Sequence, residues 1–125
     1  MAASQASSES KQMARLAYEA LEDKKAKDIR ILDISEISVL ADYFLIASGS
    51  NKNQVQAMVD NVQEELHKAG FSPRQVEGYQ TASWILLDYG DIIVHIFDEE
   101  NRLFYDLERI WRDGAFISPE ALKEA

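Results

Sequence analysis

The stretch Ser83-Trp84-Ile85-Leu86-Leu87-Asp88-Tyr89-Gly90-Asp91-Ile92-Ile93-Val94-His95-Ile96-Phe97 decides the fold. Two apolar runs rich in β-branched residues flank Asp88-Tyr89-Gly90-Asp91, and turn residues between two such runs predict a β-hairpin. Both runs are nearly continuous in apolar residues, as strands covered on much of both faces are, so they belong in the middle of a sheet. Neighbours along a strand point to opposite faces. Trp84, Leu86 and Asp88 therefore share one face, and Ile85, Leu87 and Tyr89 the other. On the second run, Ile93, His95 and Phe97 oppose Ile92, Val94 and Ile96. One set is plain aliphatic; the other carries an indole, an imidazole and a carboxylate, which a purely structural face does not need. Which set of one run joins which set of the other depends on the turn type, and both pairings stay open at this level.

Working outward, Met13, Leu16, Ala17, Ala20 and Leu21 recur at the spacing of one helix face, predicting a helix from about Glu9 to Lys24. Ile29–Ile34 and Tyr43–Ala47 read as strands. Ser48-Gly49-Ser50-Asn51 breaks the second of these, and Asn51 followed by Gln54 resembles a capping box. Val55, Met58, Val59, Val62 and Leu66 then mark a second helix to about Ala69, with Gly70 just beyond its end. Phe71–Glu77, with Pro73 near its start, suits a short edge strand. After Phe97, Arg102–Trp111 fits either a helix or a short strand followed by a helix. This order predicts an α/β (α+β) fold: a mixed central sheet of about five strands with helices packed on it. Residues 1–9 read as a disordered leader, 10–114 as a single domain and 115–125 as a fraying C-terminal tail.

Composition narrows the function. The 125 residues have 46% apolar content and no apolar run long enough for a membrane span, and Met1–Ser10 lacks the features of a secretory signal. Cysteine is absent, which excludes disulfides, thiolate zinc sites and cysteine nucleophiles and is compatible with a reducing cytoplasm. The net charge of −9 argues against a phosphate backbone as main partner; it suits a basic protein partner, and equally well serves solubility alone.

Three motifs invite chemistry. The Gly49-Ser50 turn opening a helix is a weak candidate anion or nucleotide site, because it lacks the lysine and further glycines of a P-loop; a tight strand-to-helix turn explains it as well. A nucleotidyl transferase needs, after such a turn, two carboxylates alternating on the next strand to hold metal ions. Here Asp88 stands alone at a strand end, and Asp106-Leu107-Glu108 has the spacing but lies where helix is favoured. His95 has no paired histidine or cysteine, so no metal centre, cofactor site or catalytic set is expected; a hydrogen-bonded or partner-facing histidine is. Trp84 divides between core residue and interface anchor. Tyr89, placed in the turn, is expected to be more exposed than Trp84.

Asp42-Tyr43-Phe44-Leu45-Ile46-Ala47-Ser48-Gly49-Ser50 with Gln54-Val55, the Trp84–Phe97 stretch, and Arg102, Tyr105-Asp106-Leu107-Glu108 and Trp111 together resemble the three ordered signatures of the Iojap-like ribosomal silencing factors. The resemblance runs from about Ser10 to Trp111. Asn51 stands where that family often has serine, and Tyr89 where it often has leucine. The resemblance implies a fold similar to a nucleotidyltransferase core that has lost its metal-binding carboxylates. It implies a cytoplasmic, non-enzymatic repressor that binds the large ribosomal subunit through the ribosomal protein numbered fourteen and blocks joining of the small subunit when nutrients are scarce. A homodimer is implied too. By position, Trp84, Asp88, Tyr89, His95 and Tyr105 match the family's contact surface.

Overall fold

A computed structural model describes residues 7–36, 38–99 and 115–123. Its elements run α1 (Ser8–Asp23), β1 (Lys27–Asp33), β2 (Tyr43–Gly49), α2 (Lys52–Lys68), β3 (Gln75–Glu77), β4 (Trp84–Asp88), β5 (Ile92–Asp98) and β6 (Ala115–Phe116), with a 3-10 turn over Pro119–Lys123. The strands form one six-stranded sheet in the order β3-β4-β5-β2-β1-β6. Among the described residues, the β2–β5 pair alone is parallel and every other neighbour is antiparallel. The mixed sheet is as expected, with β6 an addition too short to announce itself.

Helix ends follow local chemistry. Ser7 caps α1 by accepting from Ser10 N–H, and Asn51 caps α2 by accepting from Gln54 N–H at 2.8 Å. Gln54 bonds one residue ahead of the cap instead of closing a capping box: its Oε1 accepts from Ser50 N–H, while its Nε2 donates to the carbonyls of Lys24 and Lys25. One side chain thereby ties the start of α2 to the α1–β1 turn. At the other end, Gly70 takes φ +92, and Gly70 and Phe71 N–H bond back to His67 and Leu66 carbonyls, a Schellman ending.

Both α-helices pack on the same face. Met13, Ala17 and Leu21 of α1 and Val55, Met58 and Val62 of α2 form one apolar cluster with Leu45, Ile85, Leu87, Val94 and Ile96 of the sheet. A second cluster sits on the opposite face: Leu32, Ile34, Ala41, Phe44, Ile46 and Phe97, with Trp84 and Ile93 packed against it. β2 runs between the two and is buried along its whole length. Each large aliphatic chain so placed contributes about 1.5–3 kcal/mol.

Two expectations need correction. Residues 115–123 do not fray: β6 pairs with the end of β1, and Leu122 is buried in the helix-side cluster. The edge strand spans Gln75–Glu77 only, because the chain from Phe71 through Pro73 approaches the sheet as loop. The expectation for Arg102–Trp111 lies outside the described residues. Among the described residues, no helix is long and apolar enough to cross a membrane.

Candidate functional site

The hairpin turn settles which side chains meet. Tyr89 N–H donates to the Ile92 carbonyl, leaving Gly90-Asp91 as a two-residue connection. Gly90 supplies the positive φ of +85 that such a turn demands at its first central position. The resulting register sets Trp84 opposite Phe97, Leu86 opposite His95 and Asp88 opposite Ile93. The indole, imidazole and carboxylate therefore do share a face, the one away from α1 and α2. Parallel pairing adds Phe44 beside Ile93 and Ile46 beside His95 on that same face.

An aromatic lattice organises it. Trp84 stacks on Phe97 at 5.4 Å between ring centroids, and Phe44 meets His95 edge to face at 4.8 Å. Trp84 Nε1–H donates to His95 Nδ1 at 3.0 Å. An indole N–H can only donate, so Nδ1 carries no proton and the neutral imidazole keeps its hydrogen on Nε2. His95 is only 4% exposed, and burial pulls its pKa down to about 4, so it is uncharged at neutral pH. Its Nε2 is buried and has no hydrogen-bond partner among the described residues. The arrangement is a hydrogen-bonded histidine bracing a partly buried tryptophan, one of the two roles the sequence leaves open. Asp88 is half-buried, with Oδ1 accepting from Gly90 N–H at 2.8 Å, so this carboxylate also ties down the turn.

Tyr89 corrects an expectation. It is 6% exposed, buried in the helix-side cluster with Ile85 and Leu87, whereas Trp84 is the partly accessible one. Its hydroxyl is buried with no partner among the described residues, and desolvation pushes the phenol up to about 12. Trp84, Asp88 and His95 thus come together while Tyr89 underlies them from the far side. Tyr105 lies outside the described residues.

The Gly49-Ser50 turn has a packing explanation. A Cβ on Gly49 would come within 2.8 Å of Val55 Cγ2 and 3.2 Å of Met58 Sδ, so glycine is needed to seat α2 against β2. The N–H groups of Ser50 and Gln54 are taken by side chains of α2's own first turn and cap. The adjoining recess is lined by Asp98 and Glu99 as well as Lys52, which discourages an anion. Among the described residues, no group of three or more histidines or carboxylates could hold a metal ion.

Sequence reasoning missed Asp42. Its Oδ2 accepts from Ser10 Oγ at 2.7 Å and from Ser7 N–H at 3.2 Å, and its backbone N–H donates to the Asp91 carbonyl. One residue thus joins the α1 N-terminus, the start of β2 and the hairpin turn, across separations no local pattern reveals.

The family described as "Ribosomal silencing factor during starvation" matches residues 7–125. The chain is 40% identical over 104 residues to the ribosomal silencing factor RsfS of Bacillus subtilis, covering 83% of this chain and 88% of that protein. It superposes with a TM-score of 0.79 on a crystal structure of a Chromobacterium violaceum protein, 38% identical, covering 86% of this chain and 88% of that one. A more distant mouse relative, named for mitochondrial assembly of the ribosomal large subunit, is 28% identical over 113 residues, covering 83% of this chain and 50% of that protein.

Proposed function

The chain belongs to the ribosomal silencing factor family, and on that premise we propose that it binds the large ribosomal subunit and represses translation by steric exclusion of the small subunit. The partner surface is a basic ribosomal protein, the one numbered fourteen in the family's pattern, and the setting is nutrient limitation in the cytoplasm. No bond is made or broken in such a function. A specific interface of about 800 Å² per partner suffices, with affinity concentrated in one or two aromatic anchors. The net charge of −9 steers encounter with a basic protein and penalises docking on bare RNA.

The observation that carries the site is Trp84. Its ring is partly accessible yet held by Phe97 and His95, so little rotamer freedom remains to be lost on binding. Asp88, four residues on along the same face, offers a carboxylate for a partner's lysine or arginine at the other end of β4. Trp84→Ala is expected to weaken binding to large subunits by about tenfold or more. The test is co-sedimentation with purified large subunits, followed by addition of small subunits at Mg²⁺ levels that favour joining. Protein that travels with large subunits and lowers the joined-particle peak supports the proposal. Protein that stays at the top of the gradient, with joining unaffected, refutes it.

A further inference from the structure

The β1–β2 connection holds out two large apolar side chains, Val39 at 103% exposure and Leu40 at 74%. A single exposed leucine needs no explanation, but an adjacent pair at one tip is a hydrophobic patch in search of a cover. Hydrogen bonds hold the described residues on either side of the pair. Ser38 N–H donates to the Ile34 carbonyl, Leu40 N–H to Ser38 Oγ, and Ile34 N–H to the Asp42 carbonyl. The tip is continuous with the outer-face cluster, since Ile34 and Ala41 on either side belong to it. The Asp42–Asp91 hydrogen bond also sets it beside the β4–β5 turn, at the Asp88 end of the proposed docking face.

Charge identifies the occupant. No lysine or arginine occurs from Ile31 to Asn51 or from Gln75 to Glu100, while Asp33, Glu36, Asp88 and Asp91 do. Arg74 reaches this end, with its stem against Gly90. Among the described residues, Arg30 stands opposite Ile46 farther along this face, while at the tip end Arg74 faces Asp33, Glu36, Asp88 and Asp91, a balance that does not suit a phosphate backbone. A two-fold contact between copies of this chain would bring carboxylates to carboxylates. An apolar pocket ringed by lysine and arginine on a protein meets both requirements.

We propose that Val39 and Leu40 form an apolar tip that inserts into a pocket on a basic protein of the large subunit, extending the docking face from Trp84 past the hairpin turn. The inference rests on the large-subunit function proposed above, and the test separates the two. Wild-type protein and a Val39→Ser, Leu40→Ser double variant are titrated against purified large subunits and, separately, against protein-free ribosomal RNA. Their oligomeric state is followed by sedimentation. Both substituted positions are exposed, so melting should be nearly unchanged. The expected result is a loss of affinity for large subunits of about tenfold or more, with no measurable affinity for bare RNA in either protein. Wild-type binding with an equally tight double variant overturns the tip while leaving the large-subunit function standing. Equal losses on subunits and bare RNA, or a change in oligomeric state with subunit binding intact, overturn it in favour of RNA or a second copy. A wild type that does not bind large subunits overturns the function, and the tip with it.

Discussion

Lowering the pH should destabilise this protein through one residue, His95. In the folded state, burial holds its pKa at about 4 against an ordinary 6.5. The unfolded chain therefore takes up a proton from pH 6.5 downward, while the folded chain refuses it until about pH 4. Protons favour the state that binds more of them, so stability falls as the pH drops through that window and is fully retained above it. The gap is worth at most about 3 kcal/mol, of which about 2 kcal/mol is lost between pH 7 and pH 5. For a chain of this size that is a drop of roughly 6 °C in Tm. The structural reason is specific: a proton on Nδ1 displaces the Trp84 N–H and places a charge among Phe44, Trp84 and Phe97. The assay is chemical denaturation of wild type and His95→Asn at pH 7, 6 and 5, with the imidazole titration followed by NMR. Asparagine keeps an acceptor for Trp84 but has nothing to titrate, so its stability should stay nearly flat where the wild type falls. Parallel curves for the two proteins, or an imidazole midpoint near 6.5, would refute the reasoning.

Tyr89→Phe should leave stability unchanged or raise it by about 1 kcal/mol in a thermal melt, because it removes a buried hydroxyl that has no partner among the described residues; a clear loss would mean the hydroxyl is satisfied. Gly49→Ala should destabilise by about 1–3 kcal/mol in urea titration, since its Cβ meets Val55 and Met58; a neutral result would undo the packing account of the turn.

What was legible in the sequence was local. The hairpin, both helices and the Asn51 cap are written in residues a few positions apart, and each lies where it was expected. Alternation also put Tyr89 on the face of Ile85 and Leu87, the helix-packed one. Its exposure was misjudged because a residue beside a turn was treated as part of it, whereas Tyr89 still makes the last paired contact of the hairpin. Register was illegible because it hangs on the turn's backbone geometry, which Gly90-Asp91 permits in more than one form. Asp42 and β6 escaped because their partners lie tens of residues away: Ser7 and Ser10 for the one, Leu32 and Asp33 for the other. Of the candidate site, the chemistry of the face was readable and its bracing was not. Nothing in the order of residues says that the indole of Trp84 bonds to the imidazole of His95.

Strand order also has a consequence for the chain as it is made. β2 and its parallel neighbour β5 are separated by all the residues from Ser50 to Asp91, while β1 is close by and can fold back onto β2 at once. At roughly 5–20 residues per second, the far edge of β2 waits about 2–8 seconds for its partner to be synthesised. During that interval an entirely apolar-flanked strand, Tyr43-Phe44-Leu45-Ile46-Ala47, offers unpaired backbone to any neighbour. A protein proposed to act on ribosomes is thus itself most prone to aggregation while still attached to one. Truncated chains ending before Ile92 should be held by chaperones or lost as insoluble material.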